Sequence, residues 1–145
     1  MSAKNFLTPE QQEQVIAAVK EAETGTSGEI RIHVENKCSV DPLERAEQLF
    51  GELGMHKTEL RNGVLIYLAC QSKVFAIVGD KGINELVPDV FWEDVRDMMT
   101  AAFSQGKFTE GLSAAAIAVG EKLQTYFPYQ EDDVNELPDD ISFSE

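Results

Sequence analysis

The sequence predicts an α/β fold, a three-layer α/β/α sandwich in which helices cover both faces of a mixed sheet. Helix patterns and strand patterns alternate along the chain. Two apolar runs, 64–69 and 74–78, contain no charged residue and therefore predict strands that are covered on both faces. With 145 residues, of which 43% are hydrophobic, the chain has the size and composition of one domain with one core.

The first half of the chain predicts a helix, a strand and a second helix. Thr8 and Gln11 have the spacing of a capping box, and an amphipathic helix follows them. Residues 29–35 alternate between apolar and polar side chains, which predicts a strand with one buried face. Asp41 and Pro42 have the pattern of an N-cap followed by a first helical residue, and they begin the second helix.

The second half predicts a hairpin followed by two helices. Residues 64–69 and 74–78 are joined by a four-residue link, which permits only an antiparallel pair. The helical crossover before 64–69 makes that strand parallel to the first strand. Apolar periodicity predicts helices at about 89–103 and about 109–126, with Thr109 as the cap of the last one. Because the last helix is rich in alanine, we expect it to pack closely against a neighbour.

The acidic residues are concentrated towards the C-terminus. The formal net charge is −14, and residues 128–145 contain seven carboxylates but no Lys or Arg. We therefore expect an α/β domain at 1–127 and an acidic tail at 128–145. The tail fits docking on a basic protein partner, but a solubilising tail or a tail packed on its own domain fits equally well. Apolar residues interrupt its charges at Val134, Leu137, Ile141 and Phe143.

Composition and motifs exclude several classes of function. No cluster of Lys and Arg is present, so we expect no nucleic-acid partner. No run of 18 apolar residues predicts a membrane span, and the N-terminus lacks a signal-peptide pattern, so we expect a cytoplasmic location. We also expect the protein to be a monomer. Cys38 and Cys70 give neither a zinc site nor a disulfide framework. His33 and His56 have no partners in a catalytic motif, and we interpret both as structural residues.

Polar residues are expected to meet at one end of the sheet. The first two strands begin at this end and the third strand ends there, because the first pair is parallel and the second antiparallel. A cluster of carboxylate and amide oxygens suits Ca²⁺ or Mg²⁺. Ordinary turn chemistry is the alternative interpretation of the same residues. The residues brought together are Glu29, Arg61, Asn62, Asp80, Lys81 and Asp89.

Crowded carboxylates at this end of the sheet are expected to repel one another. On that basis Asp80→Asn is expected to stabilise the metal-free protein and to abolish most of the stabilisation that a bound cation gives.

An ordered set of short segments is similar to the TPM domain family over about residues 8–127. The segments read SGEIRI (27–32), RNGVLI (61–66), FAIVGDKGI (75–83) and FW (91–92), and Phe103, Gly106 and residues 108–112 complete the pattern. The chain departs from the family where a common glycine-aromatic-glycine after the third strand is replaced by residues 79–82.

The resemblance implies an α/β/α sandwich that binds divalent cations near the acidic end of the sheet. It assigns the metal-binding positions to Glu29, Asn62, Asp80 and Asp89. It also implies weak phosphatase activity for some members. In that alternative function Asp80 or Asp89 acts as general base, Arg61 pairs with phosphate and Lys81 lies nearby.

Overall fold

The computed structural model describes residues 3–129 and 141–144, which form a four-stranded sheet with helices on both faces. The predicted α/β class is confirmed. The strands are β1 (Glu29–Glu35), β2 (Gly63–Ala69), β3 (Val74–Gly79) and β4 (Ser142–Ser144). The helices are α1 (Ala3–Phe6), α2 (Pro9–Glu23), α3 (Pro42–Glu52), α4 (Lys81–Asn84), α5 (Asp89–Ser104) and α6 (Phe108–Tyr126).

The sheet is mixed and has the strand order β3-β2-β1-β4. Strands β1 and β2 are parallel, with Glu29 opposite Gly63, and β2 and β3 form an antiparallel hairpin with Ala69 opposite Val74. Both pairings are as predicted from the lengths of the connections. Strand β4 was not predicted. It pairs with β1 in parallel at the far edge, where His33 lies opposite Ser142.

Two hydrophobic cores cover the two faces of the sheet. The larger core lies between the sheet and helices α2, α5 and α6, and the smaller core lies between the sheet and α3. The prediction of one buried face for β1 was wrong, because all of its residues except Arg31 are buried. On its polar face, Glu35 is bonded by Arg45 of α3 and by Ser144 of β4, and His33 is bonded by both serines of β4. On the other face, Ile141 and Phe143 extend the larger core beside β1.

The predicted helix starts are correct for α2 and α3. Thr8 and Gln11 form the capping box of α2, and the Asp41 carboxylate accepts a hydrogen bond from the Glu44 N–H at 3.2 Å at the start of α3. Thr109 is not a cap, since α6 begins one residue earlier and Thr109 is buried in its first turn.

The close packing expected of the alanine-rich helix is found between α6 and α2. A Cβ atom added to Gly120 would lie 2.5 Å from the carbonyl oxygen of Ala22, so the two backbones approach as closely as glycine allows. None of the helices within residues 3–129 and 141–144 combines the length and apolar character needed to cross a membrane.

Candidate functional site

Three chain segments lie side by side at the end of the sheet where β1 and β2 begin. The Glu29 N–H donates to the Asn62 carbonyl oxygen at 3.2 Å, and the Asp80 N–H donates to the Gly63 carbonyl oxygen at 3.0 Å. These two bonds extend the β1–β2 and β2–β3 ladders beyond the strand ends. They place Glu29, Asn62 and Asp80 on neighbouring segments, and we call this region the acidic end.

Asp80 forms a two-pronged ion pair with Arg61. The Arg61 Nε and Nη2 groups donate to Asp80 Oδ2 and Oδ1 at 2.7 and 2.9 Å. The same carboxylate caps α4 by accepting the Lys81 N–H at 2.7 Å. The Asp80 side chain is only 5% exposed, whereas that of Arg61 is 38% exposed. Asp80 is therefore neutralised by a cation of the chain itself, and that cation reaches solvent.

The backbone around Arg61 is held tightly against the start of α4. Arg61 has a φ of 51°, a conformation that is uncommon for residues other than glycine. Its carbonyl oxygen accepts the Gly82 N–H at 3.0 Å. A Cβ on Gly82 would lie 2.4 Å from the Leu60 carbonyl oxygen and 2.7 Å from that of Arg61, so only glycine permits this approach. The loop thus fixes the backbone from which the guanidinium reaches Asp80.

Glu29 and Asn62 are the most deeply buried polar residues of the acidic end, at 3% and 2% exposure. The Asn62 Nδ2 group donates to Ser27 Oγ at 3.4 Å, and its N–H donates to Thr58 Oγ1 at 3.3 Å. Since Nδ2 is engaged by Ser27, Oδ1 is the end of the amide that can act as a ligand to a cation.

The side chains of Asp89 and Lys81 are exposed, unlike those of Glu29, Asn62 and Asp80. Asp89 is the first residue of α5, and no hydrogen bond or ion pair within residues 3–129 and 141–144 joins its side chain to Glu29, Asn62 or Asp80. Within the described part of the chain, no three His, Cys, Asp or Glu side chains converge as a metal-binding group. A cation at the acidic end would therefore need amide, carbonyl or water oxygens in addition to carboxylates.

The Arg61–Asp80 pair faces an open cleft of about 320 Å³ between α3 and β3. Glu47 of α3 and His56 of the following loop also line this cleft. The pair is consequently accessible from solvent on one side, although Asp80 itself is buried.

A second polar cluster, which the sequence did not predict, lies on the α3 face at the other end of β1. Its centre is the Glu35 carboxylate, which accepts hydrogen bonds from Arg45 Nε at 3.0 Å, from Arg45 Nη2 at 2.6 Å and from Ser144 Oγ at 2.9 Å. The Tyr67 hydroxyl donates to the same carboxylate. His33 Nε2 is 2.8 Å from Ser144 Oγ. We call this group the Glu35 network; its members are His33, Glu35, Arg45, Tyr67, Ser142 and Ser144.

The protonation states of the Glu35 network follow from burial and hydrogen bonding. Burial raises the pKa of Glu35, but hydrogen bonds from Arg45, Tyr67 and Ser144 outweigh burial and lower that pKa from 4.5 to about 2. Burial lowers the pKa of His33 from 6.5 to about 4, against the opposing effect of the Glu35 charge. Burial and the bond to Glu35 raise the pKa of Tyr67. At neutral pH, Glu35 is therefore charged, His33 is neutral and Tyr67 is protonated.

His33 is fully hydrogen-bonded, since its Nδ1 atom also lies 2.7 Å from Ser142 Oγ. The structure thus agrees with the interpretation of His33 as a structural residue, and it identifies the partners as side chains of β4. The available signal in the sequence was the alternation of Ile141 and Phe143 with Ser142 and Ser144, which is the period-two pattern of a strand.

Comparison with known proteins identifies a family and several solved structures of the same fold. The model of the TPM domain family matches residues 1–122. The structure is similar to the NMR structure of BA42 protein from the psychrophilic bacterium Bizionia argentinensis, with 44% sequence identity, a TM-score of 0.91 and 97% coverage of both chains. No curated protein sequence matches this chain.

Two more distant structures share the fold. The N-terminal domain of the cg2496 protein from Corynebacterium glutamicum is 16% identical, with a TM-score of 0.65 and coverage of 96% of this chain and 80% of that one. The N-terminal domain of a P. gingivalis protein is 19% identical, with a TM-score of 0.68 and coverage of 85% and 80%. At these identities the likeness establishes the architecture alone.

Proposed function

This chain belongs to the TPM domain family, and we propose that it binds a divalent cation, Ca²⁺ or Mg²⁺, at the acidic end of its sheet. The observation that carries the proposal is the placement of two buried carboxylates, Glu29 and Asp80, and one buried amide, Asn62, on neighbouring segments. Oxygen ligands of these types suit hard cations. A negative net charge of −14 favours the approach of any cation.

The donor set fits a weakly held ion that keeps part of its water shell. Mg²⁺ in proteins is often bound by only one or two carboxylates, with water completing the coordination. Glu29 and Asn62 supply one carboxylate and one amide oxygen, and the carbonyl groups of the strand ends supply further oxygens. Asp89 is exposed on α5, so we place it outside the core of the proposed site.

Asp80 can bind a cation only in exchange for Arg61. Both of its oxygens already accept hydrogen bonds from the guanidinium, and one of them also caps α4. Arg61 is thus an internal competitor for the same carboxylate. Because the Arg61 side chain borders the open cleft, it has room to move into solvent when a metal ion takes its place.

A titration with Ca²⁺ and with Mg²⁺, followed by backbone amide NMR shifts, tests the proposal. We expect shifts at Glu29, Asn62 and residues 80–82, with saturation in the millimolar range or below. Glu29→Gln should weaken binding by roughly tenfold or more. Even the loss of a residue that only hydrogen-bonds to a metal ligand lowers metal affinity by about tenfold or more, and Glu29 is itself a proposed ligand. The control is Glu93→Gln, which changes an exposed carboxylate on α5 and should leave the titration unaltered.

Arg61→Gln separates the two arrangements of the site. If Asp80 is a ligand, removal of the competing guanidinium tightens binding, and the gain disappears in Arg61→Gln/Asp80→Asn. If only Glu29 and Asn62 bind the ion, neither substitution changes the affinity much. Shifts confined to residues 128–145 would mean diffuse association with the acidic tail and would refute the proposed site.

Phosphoester hydrolysis is the alternative that the family resemblance implies. It uses Arg61 as the phosphate contact, whereas here the guanidinium is held by Asp80. The cation-binding proposal does not depend on that activity.

A further inference from the structure

A second cleft lies at the end of β2 opposite the acidic end. It has a volume of about 620 Å³ and opens between the β2–β3 hairpin and the turn that joins α5 to α6. This volume is in the range of small-molecule sites. The residues that matter for its chemistry are Leu68, Lys73, Phe75, Thr100, Phe103 and Phe108. We call it the phenylalanine cleft.

Three phenylalanine rings form one continuous apolar wall. The ring centres of Phe75 and Phe103 are 5.4 Å apart with their planes nearly perpendicular, and those of Phe103 and Phe108 are 5.2 Å apart in a stacked arrangement. All three residues are only partly buried, so their ring surfaces remain available to the cleft. Leu68 is fully buried and closes the wall towards the sheet. Exposed ring surface around an open volume of this size suits a flat apolar ligand.

Three polar side chains, Lys73, Thr100 and Ser104, line the same cleft, and the Ser104 Oγ group donates to the Ala101 carbonyl oxygen at 2.9 Å. Lys73 is exposed and forms no ion pair within the described residues. The Thr100 side chain makes no hydrogen bond inside the described part of the protein. An ammonium group beside an apolar wall is complementary to a ligand that is apolar at one end and anionic at the other. Because the chain has a net charge of −14, most of its surface repels an anionic ligand, whereas the Lys73 ammonium group attracts one.

Lys73 has a strained backbone conformation, and nothing in the packing of the fold requires a lysine at this position. Its φ is 59°, in the left-handed region, and its N–H closes the turn by donating to the Ala69 carbonyl oxygen at 2.9 Å. Glycine adopts this conformation at lower cost. Since the Lys73 side chain is exposed, its packing does not explain a lysine at this position. Strained positions of this kind are enriched at functional sites.

We propose that the phenylalanine cleft binds a small carboxylate with a flat apolar body. The body lies against Phe75, Phe103 and Phe108, and the carboxylate pairs with the Lys73 ammonium group and accepts a hydrogen bond from Thr100. This site is separate from the proposed cation site, because the two lie at opposite ends of β2.

Paired NMR titrations with 2-naphthoate and with its neutral analogue 2-naphthalenemethanol test the proposal. Both ligands should shift amides in residues 68–76 and 100–108, and naphthoate should bind about five-fold more tightly, as expected for one partly exposed ion pair. Lys73→Gln should remove that preference, whereas Lys20→Gln, an exposed lysine of α2, should preserve it. Thr100→Trp should fill the cleft and weaken both ligands.

Lys73→Gly distinguishes a binding role from a structural one. It should also remove the preference for naphthoate, yet it should raise the urea midpoint of unfolding, because glycine relieves the left-handed strain. Equal affinities for the two ligands in the wild type, or an unchanged preference in Lys73→Gln, would overturn the proposal. Shifts that lie outside the two segments would overturn it as well.

Discussion

The two ends of β1 carry polar clusters of similar burial but different access to solvent. At the acidic end, the cation that pairs with Asp80 has a side chain that is 38% exposed and borders an open cleft. At the other end, Glu35 pairs with Arg45, whose side chain is 21% exposed, and two further groups, Tyr67 of β2 and Ser144 of β4, donate to the same carboxylate. One cluster is therefore open on one side, and the other is sealed.

This difference separates a candidate site from a structural network. An ion pair with one partner in water can exchange that partner for another cation, because solvent hydrates the guanidinium group that is released while the new cation neutralises the carboxylate. A buried carboxylate that accepts bonds from Arg45, Tyr67 and Ser144 cannot lose one without leaving polar groups unsatisfied. The Glu35 network accordingly holds β4 to the sheet, while the acidic end is where a ligand can compete.

The largest effect is expected from removing the centre of the sealed network. Glu35→Ala leaves Arg45, Tyr67 and Ser144 without their shared acceptor and should cost about 3 kcal/mol or more in the free energy of unfolding. Urea unfolding followed by circular dichroism measures it. Glu93→Ala, at an exposed position on α5, serves as the control and should change stability by less than about 0.5 kcal/mol. A loss below 1 kcal/mol for Glu35→Ala would show that the network is not sealed.

The sealed network also predicts how stability depends on pH. The folded state keeps His33 neutral down to about pH 4, whereas the unfolded chain binds a proton below about pH 6.5. Stability is therefore complete above pH 6.5 and falls as the pH is lowered from 6.5 to 4, by at most about 1.4 kcal/mol per pH unit. The lowered pKa of Glu35 adds a further loss between pH 4.5 and about 2.

His33→Gln isolates the first of these two windows. Glutamine can hydrogen-bond to the serines of β4 but does not titrate, so the variant should show a flat stability between pH 6.5 and 4.5. Urea unfolding at half-unit pH intervals measures the slope in both proteins. An equally steep slope in the variant would assign the pH dependence to other groups.

Most of the fold was predictable because its signals are local. The capping box at Thr8, the cap at Asp41 and the four-residue link in the hairpin each determine structure within a few residues of themselves. Strand β4 was not predicted because it has only three residues. An alternation of apolar and polar residues over so short a segment is a weak strand signal, and the acidic residues before it indicate a tail instead. Its position is decided by a non-local event, the pairing of Ser142 with His33 across more than one hundred residues.

The candidate site was predictable only as far as strand topology determines it. Topology brings Glu29, Asn62 and Asp80 to one end, and the structure places them there. Topology does not specify rotamers or loop conformation, and these decide that Arg61 reaches Asp80 and that Asp89 is exposed. The left-handed backbone conformation of Arg61, from which its side chain extends to Asp80, could not be predicted from the sequence.

The smallest of these effects concerns Asp80→Asn, and here the structure reverses the expected sign. Repulsion among crowded carboxylates predicts that the substitution stabilises the metal-free protein. The nearest charge to Asp80 is instead the Arg61 guanidinium, at 2.7 Å, so the substitution removes an attraction. We expect a decrease in the free energy of unfolding that is less than half of that for Glu35→Ala, because asparagine can still cap α4 and Arg61 is partly hydrated.

Urea unfolding in EDTA, for the wild type, Asp80→Asn, Arg61→Gln and the double variant, measures this pair directly. The two single substitutions should be non-additive, since each breaks the same contact. The loss should shrink at high NaCl concentration, because one partner is exposed to salt. An Asp80→Asn protein more stable than the wild type in EDTA would mean that repulsion dominates after all. The acidic end would then be strained without its cation, and Arg61 would be a minor competitor for it.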